Sequence, residues 1–322
     1  MHPDSAPMPD AAPRHPRKKL TTPNRHCGTE VNLHSGPWQA TLCTQGGSLV
    51  ALRCGTDPLV LPWPTDKMRP CFHGATLAPW PNRLRDGRYR FGGRTHQLAL
   101  SEPELANSLH GLVCWTDWRL DSADAKSAAM STAILPQPGY PFQVELKASW
   151  NLHREGLTWS LAARNTGETT APVGLGIHPY LTAAGGGVDA WDLTVPAATV
   201  LDTGGARKLP EGAGPVSRAA GTDFRRGGSL SGVQLDHCFT DLQTGRVTVT
   251  NSEGRGAALE WNPAQLPFVQ VFTSDLPGTR WDRSGVAVEA CSCAPDAFNT
   301  DPASVALAPG STREAQWKFK VA

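Results

Sequence analysis

The stretch Phe142-Gln-Val-Glu-Leu-Lys-Ala-Ser-Trp-Asn-Leu-His-Arg-Glu-Gly-Leu-Thr-Trp-Ser-Leu-Ala-Ala163 is typical of a β-hairpin. On both sides of His153-Arg-Glu-Gly156, apolar side chains alternate with polar ones, which is the period of a strand with one buried face. A short connection that contains glycine joins strands of this kind into an antiparallel pair. The stretch therefore predicts two long strands that lie side by side in opposite directions.

Short segments of the same character recur along most of the chain. Gly (32 residues) and Pro (28 residues) are abundant between them, which favours turns over long helices. These segments are residues 38–43, 48–53, 89–91, 96–100, 118–120, 191–195, 246–250, 257–261, 268–272, 286–290 and 314–320. No segment keeps a helical period over four turns. The pattern predicts an all-β fold, a large antiparallel β-sandwich.

The chain divides into two parts of different composition. Residues 1–26 are rich in Pro, Ala and charged side chains, so we expect a disordered leader. From residue 27 onward the strand-like pattern continues without a convincing linker and without a repeat of fixed period. We therefore expect a single β-sandwich domain over residues 27–322.

Charge and cysteine usage exclude several functional classes. The 30 Lys and Arg residues nearly cancel the 29 Asp and Glu residues, so there is no broad positive field to attract nucleic acid or a membrane surface. No apolar run approaches the roughly 18 residues of a membrane-spanning helix. The eight cysteines are scattered and no secretory leader is recognisable, which predicts reduced thiols in a cytoplasmic protein.

Glu289 is the one charged residue in the apolar segment Val286-Ala-Val-Glu-Ala290. A buried carboxylate costs free energy unless it is paired or its pKa rises, and a raised pKa suits a general base. The turn Ala294-Pro-Asp296 follows, so Glu289 lies near the end of a predicted strand, where sites are often built. Taken alone, the segment also allows an edge strand whose glutamate faces water.

Two loops in the first third of the chain carry candidate binding residues. Asn82 and Arg83 follow a Pro-rich turn and offer hydrogen-bond donors suited to several hydroxyls. His110 precedes a glycine that lets backbone approach closely, and Trp115 follows within reach. A turn asparagine, a surface arginine and a structural histidine are the alternatives here.

Three further polar positions lie in apolar surroundings. His178 is held before Pro179 in an extended backbone, and Tyr180 adds a ring and a hydroxyl. Asp236 lies among apolar neighbours, and Gln270 occupies the middle of a predicted strand. A turn aspartate and a hydrogen-bonded core glutamine are the alternatives for the last two.

Two histidines, an aspartate and a glutamate with Asn, Arg and Gln donors suit proton transfer on a polyhydroxylated ligand. A glycosidase needs two carboxylates and an epimerase needs one acid and one base, and the spacing alone allows both. The glycine motifs of nucleotide sites and the serine-hydrolase elbow are absent, and Cys291-Ser-Cys293 has no second pair at zinc-like spacing. No cofactor and no metal are therefore expected.

Taken together and in order, six segments resemble the aldose 1-epimerase (galactose mutarotase) family over about residues 30–320. Each motif is weak alone, but their common order is specific. The segments are Pro81-Asn-Arg-Leu-Arg-Asp-Gly87, Asn107-Ser-Leu-His-Gly-Leu-Val113, Gly176-Ile-His-Pro-Tyr180, Leu235-Asp236, Val269-Gln-Val-Phe-Thr273, and Val288-Glu289 leading to Pro295-Asp-Ala-Phe-Asn299. The resemblance implies a galactose mutarotase-like β-supersandwich.

The resemblance also implies an activity, the interconversion of the anomers of a free aldose without cofactor or metal. Glu289 would take the proton of the anomeric hydroxyl, His178 would protonate the ring oxygen, and His110 would hold the ring-oxygen side. We expect both imidazoles to titrate near neutral pH. The other expected sugar contacts are Asn82, Arg83, Asp236, Gln270, Tyr180 and Trp115.

Several alternatives stay open at this point. A hexose 6-phosphate epimerase would need extra cations, for which Arg83, Arg85 and Arg280 are candidates. A non-catalytic carbohydrate-binding protein on the same scaffold is a third possibility. The expected partner is a small sugar whose identity the sequence leaves open, and the protein itself is expected to be a monomer or a weak homodimer.

Overall fold

The structure, a computed structural model, describes residues 20–218 and 221–322. Within these ranges it has 28 strands, two short 3-10 helices and one α-helical turn, so the expected all-β class is confirmed. None of the helices in the described ranges has the length and apolar character needed to cross a membrane.

The first fourteen strands are β1 (Thr21–Asn24), β2 (Gly28–Ser35), β3 (Trp38–Cys43), β4 (Ser48–Cys54), β5 (Asp57–Val60), β6 (Thr76–Leu77), β7 (Arg83–Arg85), β8 (Arg88–Phe91), β9 (Arg94–Gln97), β10 (Asn107–Leu109), β11 (Arg119–Ala123), β12 (Ser127–Ile134), β13 (Val144–His153) and β14 (Gly156–Asn165). A 3-10 helix, Pro103–Leu105, lies between β9 and β10.

The remaining strands are β15 (Ala171–Pro172), β16 (Gly176–Ile177), β17 (Tyr180–Leu181), β18 (Asp192–Thr194), β19 (Ala197–Asp202), β20 (Gly212–Pro215), β21 (Gly228–Ser229), β22 (Asp236–Leu242), β23 (Arg246–Thr250), β24 (Gly256–Trp261), β25 (Phe268–Phe272), β26 (Val286–Cys291), β27 (Ala306–Leu307) and β28 (Thr312–Val321). The second 3-10 helix is Val188–Ala190, and the α-helical turn α1 is Ala297–Thr300.

Two large antiparallel sheets dominate the fold. The eleven-stranded sheet has the order β1-β2-β3-β4-β5-β17-β26-β25-β22-β19-β20, and the nine-stranded sheet has the order β11-β12-β13-β14-β28-β24-β23-β18-β21. Apolar side chains of both sheets form a common core, as expected for a sandwich. The centre of the eleven-stranded sheet, where β17, β26, β25 and β22 adjoin, carries four of the nine candidate site residues, namely Tyr180, Asp236, Gln270 and Glu289.

The predicted hairpin is confirmed as β13 and β14, and it begins a row of indoles. Trp150 lies opposite Trp159, Trp159 opposite Trp317, and Trp317 opposite Trp261. The first two rings are 5.2 Å apart and the next two 6.1 Å apart. All four side chains are buried, so much of the tryptophan content of the chain fills this core.

The expected leader is partly structured. Residues 1–19 lie outside the described residues, but β1 forms a hairpin with β2, with Thr21 opposite Val31 and Asn24 opposite Gly28. Gly28 has φ +75°, and a Cβ there would lie 2.1 Å from the hydroxyl oxygen of Thr44. The expected boundary at residue 26 therefore falls inside a hairpin whose turn requires glycine.

Candidate active site

Glu289 lies in the interior of the eleven-stranded sheet. Its strand β26 is flanked by β25 and β17, and Glu289 is paired directly with Gln270. Its side chain is only 3% exposed, so the alternative of an edge-strand carboxylate facing water is wrong. Val288 and Ala290 belong to the apolar core, because neighbouring residues of a strand point to opposite faces.

The backbone beside Glu289 is also tied to the other sheet. The indole nitrogen of the buried Trp317 donates a hydrogen bond to the carbonyl oxygen of Ala290 at 3.1 Å. Strand pairing on both sides and this bond between sheets together restrain β26. The Glu289 side chain therefore extends from a rigid base, which is what a precisely placed functional group needs.

His178 contacts Glu289 directly. Its Nε2 lies 3.3 Å from Oε1 of Glu289, and both side chains are buried. The His178 backbone is fixed on both sides, since its N–H donates to Ala75 O and its carbonyl accepts from Gly74 N–H. The ring of Tyr180 stacks on the imidazole at 5.1 Å, while the Tyr180 hydroxyl donates to the Cys71 carbonyl at 3.2 Å.

His110 is held by the backbone of Asn82. The His110 N–H donates to Asn82 O at 2.9 Å, and the Asn82 N–H donates to His110 Nδ1 at 3.2 Å. Because Nδ1 accepts a hydrogen bond, the neutral ring carries its proton on Nε2. The adjacent Gly111 (φ +79°) is required, since a Cβ there would lie 2.1 Å from Ala78 O. His110 is therefore a fixed donor, with its ring 5.0 Å from that of His178.

Burial changes the acid–base behaviour of these groups. It is the main cause that raises the pKa of Glu289 well above its usual value, with Asp236 adding to the rise and Arg83 opposing it. Burial lowers the pKa of His178 to about 3 and that of His110 well below its usual value. The expectation that both imidazoles titrate near neutral pH is therefore wrong, because the sequence does not reveal how completely the rings are desolvated.

His178 and Glu289 consequently act as one acid–base unit. Burial disfavours both the carboxylate and the imidazolium, so it favours the form of the pair that holds a single proton and is neutral overall. Groups this close exchange protons as a pair rather than as independent residues. The unit can accept a proton at one atom while it releases another from the second atom.

His110, His178 and Glu289 also satisfy the distance condition for a metal site. One donor atom of each lies within 4.8 Å of the others, and imidazole and carboxylate are ligands that zinc accepts. The tautomer of His110 does not fit, because Nδ1 accepts from the Asn82 N–H and Nε2 carries a proton. The three residues are better suited to proton transfer and hydrogen bonding.

A chain of ion pairs forms one side of the site. Glu102 holds the guanidinium of Arg83 through two contacts of 3.0 Å, from Nε and Nη2. The free side of Arg83, at Nη1, lies 3.7 Å from Oδ2 of Asp236. Asp236 Oδ1 accepts from the amide of Gln270 at 2.6 Å, and Oδ2 lies 2.8 Å from Nζ of Lys208.

Aromatic side chains form another wall. The ring of Phe72 lies 4.7 Å from that of His110 and 5.6 Å from that of Trp115. Trp115 is 44% exposed, and the guanidinium of the buried Arg69 lies 4.5 Å from the centre of its ring. Such a half-exposed indole, fixed by a cation on one side, provides a flat apolar surface beside Phe72, whose ring contacts that of His110.

Every residue that the sequence suggested for proton transfer or for contact with a free sugar is brought into one connected group. The contacts above link Gln270 to Glu289, Glu289 to His178, and His178 to His110. Phe72 connects Trp115 to His110. Three buried polar atoms in this group have no hydrogen-bond partner among the described residues, namely His178 Nδ1, Gln270 Oε1 and Glu289 Oε2. Buried polar atoms are normally satisfied, so these atoms indicate a site for a polar ligand.

Four residues of the site had not been singled out from the sequence. Glu102 and Lys208 hold Arg83 and Asp236 through ion pairs, and Phe72 and Arg69 shape the aromatic wall. All four come from connecting segments whose local pattern resembles an ordinary turn. Their positions depend on long-range contacts, so the sequence carries little signal for them.

The whole of this region matches a known protein family. The model of the family described as aldose 1-epimerase matches residues 30–320. The uncharacterised protein YihR of Escherichia coli (strain K12) is 32% identical over 284 residues, covering 86% of this chain and 88% of YihR. The chain therefore belongs to the aldose 1-epimerase family. This membership supports an epimerase-type enzyme in general.

Solved structures of similar proteins share the fold. A GalM/aldose epimerase homologue from C. elegans aligns with a TM-score of 0.80 at 19% identity, covering 91% of this chain and 98% of the homologue. The galactose 1-epimerase of Lactobacillus acidophilus aligns with a TM-score of 0.77 at 19% identity, covering 91% and 94%. The galactose mutarotase-like architecture expected from the sequence is thereby confirmed.

Proposed function

We propose that the protein is a cofactor-independent aldose 1-epimerase that interconverts the α and β anomers of a free aldose. The observation that carries this proposal is the buried contact of 3.3 Å between His178 Nε2 and Glu289 Oε1. Mutarotation requires one proton to leave the anomeric hydroxyl and one to reach the ring oxygen. An acid and a base that share one proton match this requirement.

The proposed reaction starts from the ionic form of the pair. Ionised Glu289 takes the proton of the anomeric hydroxyl, and protonated His178 gives its proton to the ring oxygen as the C1–O5 bond breaks. Rotation about C1–C2 then presents the other face of the aldehyde. In the reverse steps His178 recovers the proton from the O5 hydroxyl as it attacks C1, and Glu289 returns its proton to O1. The pair regains its starting protonation.

Burial alone favours the neutral form of the pair, so the bound sugar has to shift the balance toward the ionic form. Arg83 assists, because its charge lowers the pKa of Glu289. Sugar hydroxyls that donate to the unpartnered Oε2 of Glu289 act in the same direction, since hydrogen bonds to a carboxylate favour its ionised form. In this way ligand binding prepares the base.

The other residues bind and orient the sugar in this proposal. His110 donates from Nε2 to the ring-oxygen side and stays neutral throughout. Asp236 and Gln270 accept from hydroxyls, and Arg83 and Asn82 donate to them. The half-exposed indole of Trp115 stacks on an apolar face of the ring. Tyr180 acts one step away, since its hydroxyl is bound to the Cys71 carbonyl and its ring supports His178.

The phosphorylated-hexose alternative finds less support. Arg83 is already paired with Glu102 and Asp236, Arg85 lies 3.4 Å from Asp296, and the Arg280 guanidinium lies 4.5 Å from the centre of the Trp281 ring. A phosphate group would have to compete with these contacts. The non-catalytic alternative is not favoured either, because a binding protein has no need for a buried acid–base pair, which is costly to maintain.

The test is the decay of optical rotation in fresh solutions of α-glucose and α-galactose. We expect the wild type to accelerate it, with Glu289→Gln and His178→Asn losing about 10²–10⁴-fold in rate. Glu253→Gln and His153→Asn change exposed residues of the same types and should keep full activity. Glucose 6-phosphate is measured in parallel to separate the phosphorylated alternative.

An unchanged decay of rotation with every common aldose would contradict the proposal. Sugar binding by calorimetry without any rate enhancement would instead support the non-catalytic alternative. Wild-type acceleration that persists undiminished in both active-site variants would show that the chemistry lies elsewhere.

A further inference from the structure

Lys208 reaches the sugar site from a segment that the reaction scheme does not use. It belongs to the connection between β19 and β20, and its Nζ lies 2.8 Å from Oδ2 of Asp236. Its backbone has φ +53°, a left-handed conformation that is uncommon for a residue with a side chain. A conformation of this kind persists only where the surroundings enforce it.

The neighbouring residue supplies that enforcement. The Arg207 guanidinium donates to the carbonyls of Leu105 and Ala106 and pairs with Asp86 at 2.9 Å. The backbone carbonyl of Arg207 accepts a hydrogen bond from the side-chain amide of Asn107 at 3.1 Å. The same amide nitrogen also donates to Glu102, which is the ion-pair partner of Arg83. The segment is therefore docked onto the support of Arg83, and Lys208 is presented toward Asp236 from a fixed base.

Asp236 is enclosed by groups of both signs. Lys208 and Arg83 face it as cations, the Gln270 amide donates to it, and the next residue, His237, accepts from the Asp236 N–H at 3.2 Å. Glu289 is the acidic group that the charge of Asp236 affects, since that charge raises the Glu289 pKa. Burial tends to raise the pKa of Asp236, but Arg83, Lys208 and Gln270 together lower it.

We propose that Lys208 is a positioning residue of the sugar site, which keeps Asp236 ionised and oriented so that sugar hydroxyls can donate to it. This inference rests on the proposed function, because it assigns a role in the same pocket. Lys208 does not take part in the proton transfer between His178 and Glu289. Its removal should therefore affect sugar binding much more than the chemical step.

The charge balance shows what the loss of Lys208 would do. Asp236 would keep Arg83, whose Nη1 is 3.7 Å away and which Glu102 already neutralises. The carboxylate would become easier to protonate and freer to rotate. A protonated Asp236 accepts sugar hydroxyls more weakly, so the defect should grow as the pH falls toward 5. A purely structural defect in the segment would instead be independent of pH.

The experiment compares Lys208→Met, Lys208→Arg and the control Lys126→Met, which changes an exposed lysine in the β11–β12 turn. We expect Lys208→Met to raise KM about fivefold at pH 7.5 and about tenfold at pH 5, with kcat within about twofold of wild type. Lys208→Arg should restore KM to within about twofold, and the control should match wild type at both values of pH. The sugar Kd from calorimetry should follow KM.

With a wild type that binds the sugar, three results would overturn the inference. They are an unchanged KM in Lys208→Met, a rise in KM that is equal at pH 5 and pH 7.5, and a loss confined to kcat. If the wild type binds sugar without turnover and Lys208→Met raises the Kd as described, the proposed epimerase activity would be contradicted and the role of Lys208 would be supported. A wild type that binds no aldose would overturn both.

Discussion

Replacing Glu289 by glutamine should stabilise the fold while it abolishes the activity. The Glu289 side chain is 3% exposed, and burial with the nearby Asp236 charge raises its pKa well above 4.5. A folded-state pKa above the unfolded value means that the stabilisation is complete below pH 4.5 and is lost as the pH rises toward the folded-state pKa. Glutamine has a similar shape and does not titrate.

The size of the effect follows from the same linkage. Each pH unit between the unfolded pKa and the working pH costs about 1.4 kcal/mol as long as the folded protein retains the proton. Between pH 4.5 and 7.5 this sets an upper limit of about 4 kcal/mol, and competition with ionisation in the folded state reduces it. We expect Glu289→Gln to be more stable than wild type by about 1–3 kcal/mol at pH 7.5 and by less than about 1 kcal/mol at pH 5.

The assay is urea unfolding of both proteins at pH 5 and pH 7.5, with Glu253→Gln as an exposed control that should show no change at either pH. A lower stability of Glu289→Gln at pH 7.5 would refute the reasoning. So would a difference that is the same at both values of pH, because linkage requires the difference to grow with pH.

Three other outcomes follow from the site. Because the pKa of His178 is lowered to about 3, kcat/KM should show no inflection near pH 6.5, and a clear inflection there would contradict the shared-proton pair. His110→Gln, which keeps a donor, should retain about tenfold more activity than His110→Ala, and equal losses would argue against a donor role. Trp115→Ala should raise KM by about threefold to thirtyfold with little change in kcat, measured by mutarotation kinetics; an unchanged KM would exclude stacking on the sugar.

The strands were predictable where the sequence shows one of two local signals, an alternation of apolar and polar side chains or a continuous apolar run. The alternation in β13 and β14 and the apolar run of β26 are such local signals, and all three segments form strands in the structure. The strand β22 was not expected, because it begins at Asp236 and its polar residues break the alternation. Its place beside β25 depends on pairing with a segment about thirty residues away, which a local pattern does not record.

That the candidate residues lie together was predictable, but their electrostatics were not. The apolar surroundings of Glu289 in the sequence allowed both a buried carboxylate and an edge-strand glutamate, and the burial was expected only when the other motifs were considered with it. The same reasoning did not extend to His178 and His110, whose desolvation comes from residues distant in the chain. Glu102 lies in a polar turn, and nothing local distinguishes it from the neighbouring Glu104 until the fold places it against Arg83.

The central claim is that His178 and Glu289 act as one acid–base pair, which takes a proton from O1 of a sugar at Glu289 while it gives another to O5 from His178. Exchange spectroscopy by NMR on an aldose at anomeric equilibrium measures this step directly, since each crossing from α to β is counted without a change in composition. We predict exchange that rises in proportion to wild-type concentration and disappears in Glu289→Gln and in His178→Asn. The account would be contradicted if wild-type protein gave no more exchange than buffer alone, or if either variant exchanged the anomers as fast as the wild type.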